Sequence, residues 1–411
     1  MPQSQADIPD LRLKRLTKLI TRFTSPPSMV LTNLFGSDRW DSDVVDWESQ
    51  IGNRGLTPFV APDSKAPRVA PLGVATHEAK AACWKEKMYL GEGFLNNLRE
   101  PGNKNVYYRA QKRLANESRM LSNRSDRRVE WMFSKIFSAG EIEYLDYNST
   151  KQTVDYGIPT DNIVSCDTTR EWDTGNSRNI LEDIFDAQLT LSNSCGAKID
   201  YALFTTEILK LMIFDSGIQT LLAKSAFGQG DLFTNPVPVL GSLLNINNMV
   251  LYDEQYQIRA NLTAAVTADS STTIYVDDTI DFEVGGTLTF YDVSAKTTEA
   301  ETISAVNTDS GTITVSTAPS TSYKANEDLV YMTKKFLPTD KFIMFASQLE
   351  GQKIAEMAYV PYSMNGANRQ YGKQLDSWPV RDPAGVFIMC ENRGLPVLYN
   401  EDCIYILTVT S

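Results

Sequence analysis

Between residues 43 and 102 no helical period survives, because Gly52, Gly55, Pro58, Pro62, Pro67, Pro71, Gly73, Gly91 and Gly93 interrupt it. Glycine loosens the backbone and proline removes a hydrogen-bond donor, so the run reads as extended chain. Structureless connections in compact domains rarely exceed about 15 residues. A run this long therefore has to find its burial on something else. Residues 103–139 have the opposite character, with neither glycine nor proline. Val106, Ala110, Leu114, Leu121, Met132 and Ile136 fall on one stripe at helical spacing. Lys112, Arg113, Arg119, Arg124, Arg127 and Arg128 lie largely on the other side. At 1.5 Å per residue such a helix is about 50 Å long, a strut more than a core element.

Composition narrows the function. The 411 residues suffice for two or three domains, and a formal charge of -12 argues against non-specific nucleic-acid binding as the work of the whole chain. Local basic patches are a separate matter. Five cysteines, Cys83, Cys166, Cys195, Cys390 and Cys403, are widely spaced and odd in number, which suggests free and mostly buried thiols over a disulfide framework or metal knuckle. The single histidine, His77, lies in the extended run, a poor scaffold for imidazole catalysis or a multi-histidine metal site. No apolar stretch approaches the roughly 20 residues a membrane helix needs, and residues 1–28 lack a signal-peptide core. The expectation is synthesis in the cytoplasm, with no cofactor, no metal and no membrane.

Along the chain, residues 11–23 read as a basic amphipathic helix through Leu13, Leu16, Leu19, Ile20 and Phe23. It suits a docking helix or a solvated terminus better than a membrane-surface helix. A β-hairpin is expected at 141–156, a helix at 176–193, a strand at 199–204 followed by helical stretches to 223, and a strand at 249–258. Residues 263–333 then change character, with short Thr- and Val-rich runs at 273–276, 287–291, 301–306, 312–316 and 328–332. This is the pattern of an inserted small sandwich or barrel. Asp277, Asp278 and Asp281 invite a calcium reading, but the loop lacks the glycine and closing glutamate of an EF-hand, so they read as turn residues. An apolar strand at 403–409 closes the chain.

The order of these segments resembles the major capsid proteins of tailed bacteriophages, in particular the lambda-like major capsid protein E family. Phe35 followed by the strand at 41–47 carries the resemblance, with Leu56-Thr57-Pro58-Phe59-Val60-Ala61-Pro62 after it. Further on come Lys335-Phe336-Leu337-Pro338, and Arg381-Asp382-Pro383 leading to Leu395-Pro396-Val397-Leu398. The resemblance implies an α+β Hong Kong 97-like capsid fold. Its parts would be an N-terminal arm (1–47), an extended loop (48–102), a spine helix (103–139), a peripheral domain (140–194 and 372–411, the last part shared with the axial sheet) and an axial domain (195–262 and 334–371). The block at 263–333 departs from the lambda pattern, which has only a short loop there.

What the resemblance implies is a non-enzymatic subunit of an icosahedral head, assembled in the host cytoplasm and resident in the virion. Its partners would be further copies in hexamers and pentamers, a portal, scaffold or decoration proteins, and packaged double-stranded DNA through non-specific contact. In the extended loop, Phe59, Trp84, Tyr89, Leu90 and Phe94, with Arg54, Arg68, Lys80, Lys85 and Lys87, are the candidates for contacts between subunits. Their alternative is packing within the subunit. The basic residues of the strut are candidates for DNA or a neighbour's carboxylates. The bland reading gives them local pairs with Glu117, Asp126 and Glu130, each worth about 0.2–0.5 kcal/mol. The inserted block would be a brace or a platform for a decoration protein, less readily a carbohydrate-binding module. Two other functions stay open on sequence: a carboxylate-dependent hydrolase with an appended β module, which needs two carboxylates at fixed separation in a cleft, and a nanocompartment shell of the same fold.

Overall fold

The computed structural model describes residues 9–20, 22–23, 26–50, 56–68, 73–99, 104–145, 150–174, 178–224, 229–279, 281–362, 370–381 and 384–410. The chain separates into two units, 1–252 with 337–411, and 253–336.

In the larger unit the helix Lys104–Ala139 is unbroken over 36 residues. It stops where Gly140 takes a positive φ of 77° and returns its N–H to the Ile136 carbonyl, a conformation glycine adopts without steric cost. Ala110, Leu114, Leu121, Met132 and Ile136 of the expected stripe are buried; the side chain of Val106 lies outside the described residues. Against this helix lies a sheet ordered Ser37–Arg39, Ala355–Tyr359, Gly385–Leu398, Gln374–Val380, with Ala82–Gly91 also paired to Gly385–Leu398. Leu90, Leu95, Leu98, Leu114, Leu121, Leu375 and Ile388 share one core there with Leu11, Leu16 and Ile20. The N-terminal helix, Leu13–Ile20, thus docks on its own chain, where the sequence reading had offered an external partner or solvent. Its buried Leu16 and Ile20 are four residues apart, and Ser377 Oγ donates to the Leu11 carbonyl at 2.7 Å, so this part of the apolar stripe is already covered.

A second sheet is ordered Ile163–Ser165, Ile404–Thr408, Lys341–Phe345, Tyr201–Phe204, Asn248–Leu251. Its outer pairs are parallel and its inner pairs antiparallel. Trp172, Ile184, Phe204, Ile208, Met212, Phe342 and Leu407 fill its core. The helix Ile180–Ser194, grouped by sequence with the hairpin before it (Glu141–Leu145 and Lys151–Asp155), packs in this core because Ile180, Ile184, Ala187 and Leu191 form its buried stripe. Ala355–Tyr359, grouped by sequence with the axial segment, pairs instead in the first sheet.

Residues 253–336 form six strands ordered Gln255–Asn261, Leu329–Lys335, Thr287–Asp292, Thr297–Asn307, Thr312–Val315, Thr273–Tyr275. A bridge from Leu262 to Val276 joins the first strand to the last and closes a barrel. Leu262, Ile274, Leu288, Phe290, Ile303, Ile313 and Val330 fill it. The unit begins earlier than the change of composition at 263, because Gln255–Asn261 pairs in register with Leu329–Lys335. Met249 and Ile258, assigned to one strand from the sequence, fall on two, Asn248–Leu251 and Gln255–Asn261.

Candidate assembly surfaces

Part of the extended run forms a two-stranded ribbon. Val44–Gln50 and Val74–Lys80 pair antiparallel from Val44↔Lys80 to Gln50↔Val74. Val45, Trp47 and Ser49 point inward and are buried, as a period of two requires. The Trp47 ring stacks on His77 at 5.3 Å and sits 5.8 Å from Tyr156. His77 Nε2 lies 3.1 Å from Ser49 Oγ and 3.9 Å from a carboxylate oxygen of Glu401. The sole histidine therefore anchors the base of the ribbon. Burial, opposed in part by Ser49 and His77, pushes the Glu401 carboxyl above its ordinary value.

At the other end of the ribbon, residues 56–68 are all exposed, including Leu56, Phe59, Val60 and Arg68. Phe59 has no cover at all. Leu56, Phe59 and Val60 thus lie apart from every core of the subunit. Arg54 lies outside the described residues.

Trp84, Lys87, Tyr89, Leu90 and Phe94 take partners within the subunit. Trp84 Nε1 donates to Ser125 Oγ at 2.9 Å, and Tyr89 OH donates to the Ala384 carbonyl at 2.8 Å, with its ring against Phe387. Leu90 is buried in the first core, and Phe94 is packed beside it under the Arg113 guanidinium at 5.3 Å. The Lys87 ammonium lies 4.8 Å from the Phe387 ring centroid. Lys80 and Lys85 are exposed. The reason is the strand Ala82–Gly91, whose ten residues pair with Gly385–Leu398 and tie this half of the run into its own sheet.

On the long helix the basic residues divide. Arg124 pairs with Glu86 at 2.5 Å and Arg113 with Glu117 at 3.7 Å. Arg119 lies over Phe23 at 5.3 Å and Arg128 over Trp131 at 4.8 Å. Lys112 and Arg127 show no ion pair with a described residue, and Lys112 is exposed. Two acids proposed as local partners do something else. Asp126 is buried and holds Lys373 Nζ at 2.7 and 2.8 Å. Glu130, fully buried, accepts the Leu31 and Thr32 N–H groups at 3.0 and 2.7 Å, the Thr32 hydroxyl at 2.6 Å and the Tyr252 hydroxyl. Its carboxylate thereby caps the helix Val30–Phe35. Phe35 is set against Phe133, Phe137 and Phe345 at centroid distances of 5.6, 5.2 and 6.0 Å. Nothing local marks Glu130 in the sequence, because its donors lie about a hundred residues away in either direction.

Asp277 accepts from the Asn261 backbone and side chain at 2.7 Å each, a contact spanning sixteen residues that ties the ends of two barrel strands. Among the described residues no grouping of His, Cys, Asp and Glu is arranged to hold a metal, and no helix is long and apolar enough to cross a membrane. All five cysteines are free thiols.

The family model described as phage major capsid protein E matches residues 12–302, which take in the N-terminal helix, the ribbon, the strut and the second sheet's helical layer. The chain belongs to this family. A solved structure assigned as a prophage capsid protein of Escherichia coli CFT073 covers 100% of both chains with a TM-score of 0.53 at 14% identity, which shows the shared fold. A phage-related protein of Bordetella bronchiseptica RB50 covers 95% of each chain at a TM-score of 0.48 and 8% identity. The capsid structure of Staphylococcus phage Andhra covers 92% of this chain and 83% of that one, at 0.41 and 10%. No curated protein matches. The fold is the α+β Hong Kong 97-like capsid fold, and the family's function is structural: a major capsid protein of an icosahedral phage head, used in many copies and located in the virion. Neither the hydrolase nor the nanocompartment reading is favoured by these matches.

Proposed function

We propose that this chain builds the head of a tailed double-stranded DNA phage as hexamers and pentamers, with the ribbon tip of each copy laid on the next. The exposed tip at 56–68 carries the reading, since Leu56, Phe59 and Val60 gain burial only from outside the subunit. Phe59 and Arg68 are its anchor and charged partner, Lys80 and Lys85 line its approach, and Arg54 belongs to the same loop in sequence. Trp84, Tyr89 and Phe94 support it indirectly by fixing the strand from which the ribbon departs. Lys112 and Arg127 are left for non-specific contact with packaged DNA, since Arg113, Arg119, Arg124 and Arg128 are engaged within the subunit. Assembly takes place in the host cytoplasm, with a portal and scaffold or decoration proteins as the further partners. The barrel at 253–336 serves as a brace or platform.

Phe59→Asp tests this. Placing a charge where an apolar anchor is buried lowers the yield of assembled particles by at least about tenfold, read by sedimentation velocity. The subunit's own thermal melt stays unchanged, because Phe59 touches no core. Wild-type particle yield from the variant would refute the tip contact.

A further inference from the structure

The helical layer over the second sheet exposes two apolar patches, one flanked by acidic residues and one mainly by lysines. On the helix Ile180–Ser194, Phe185 and Leu189 stand one turn apart, 49% and 59% exposed. They share their face with exposed Glu182 and Asp186, since residues 182, 185, 186 and 189 follow helical spacing. Glu182 is engaged by Arg170 at 3.1 Å, which leaves Asp186 as the charge beside the apolar pair. The helix's opposite face, Ile184, Ala187 and Leu191, is already buried in the core.

The second patch is built from two elements. Phe214, which ends the helix Thr206–Ile213, and Phe233, in Gln229–Thr234, bring their rings to 6.4 Å and are 56% and 63% exposed. Lys210 lies one turn before Phe214, with Glu207 a further turn back, and Lys224 ends the neighbouring helix Ser216–Ala223; all three are exposed, so lysine prevails two to one. Arg178 fixes this corner, donating to the Phe214 carbonyl at 2.6 Å and to Asp215 Oδ1 at 3.2 Å. Asp215 in turn caps Ser216–Ala223 through the Ile218 N–H at 2.9 Å. Both patches are therefore held on rigid elements.

Neither patch pairs well with itself. Two copies meeting through Phe185 and Leu189 would set Asp186 against Asp186, and two meeting through Phe214 and Phe233 would set lysines against lysines. Unlike patches complement each other in charge, and a contact between two different surfaces of identical copies runs head to tail, forming a ring when the rotation between copies closes. We infer that Phe185, Leu189 and Asp186 of one copy dock on Phe214, Phe233, Lys210 and Lys224 of the next around a capsomer. This inference rests on the multi-copy shell reading and adds a second contact, remote in sequence from the ribbon tip.

Reversing the charges tests it on the full chain. Asp186→Lys places like charges across the contact and lowers capsomer yield by at least about tenfold in sedimentation velocity at low salt. Lys210→Glu with Lys224→Glu has the same effect. Combining the two sets restores yield to within about threefold of wild type, a rescue that misfolding does not produce. Asp186→Lys assembling as well as wild type, or a combination that fails to recover while its thermal melt matches wild type, would overturn the docking. If the wild-type chain forms no capsomers or shells, the shell reading fails, and this contact with it.

Discussion

Glu130 shows how much one side chain can organise. A carboxylate without solvent access is costly unless donors replace its water, and here two backbone N–H groups and two hydroxyls do so. Glu130→Ala leaves those donors buried and the helix Val30–Phe35 uncapped. The expected loss is about 3 kcal/mol, measured by urea unfolding. Sequence alone made this residue look like a partner for the strut's arginines, because only neighbours three or four positions away are visible there. Glu401 makes the opposite kind of statement. Its folded pKa is raised, chiefly by burial, so the folded state binds the proton more tightly than the unfolded chain. Its favourable contribution is complete below the ordinary value of 4.5 and is lost as pH rises through the folded pKa. Glu401→Gln should therefore unfold at higher urea than wild type at neutral pH, with the gain shrinking on acidification. A gain that grew in acid would reverse the assignment.

Among the elements, the strut was the most legible, because thirty-six residues without glycine or proline and with a 3.6-residue stripe have few alternatives. The barrel was legible for the same reason in another period: short Thr- and Val-rich runs separated by turn residues. The ribbon and the strand Ala82–Gly91 were not. Lys85, Glu86 and Lys87 put three charges in a row, and the strand's partner, Gly385–Leu398, lies some three hundred residues away. That partner runs unbroken as one strand through Gly394 and Pro396, residue types that ordinarily interrupt a strand. Gly394 is there for space: a Cβ at this position would come within 2.4 Å of the Ala358 carbonyl oxygen, which the sheet holds in place. Gly394→Ala should cost about 2 kcal/mol or more and loosen the Ala355–Tyr359 pairing, seen as faster amide exchange across that strand.

For the whole molecule, the cores explain the fold and the exposed surfaces explain the assembly. The sequence indicated that residues 48–102 have no core of their own, and the structure narrows that statement to the ribbon and above all its tip at 56–68. It could not locate the exposed faces on the second sheet's helices, because nothing local distinguishes Phe185, Leu189, Phe214 and Phe233 from core residues, and only the fold leaves them outside. The account turns on where the tip is buried. Amide hydrogen exchange at residues 56–68, compared between dissociated subunits and assembled shells, measures this directly. The account predicts fast exchange in the subunit and strong protection in the shell, while equally fast exchange in both states, or equal protection in both, would contradict it.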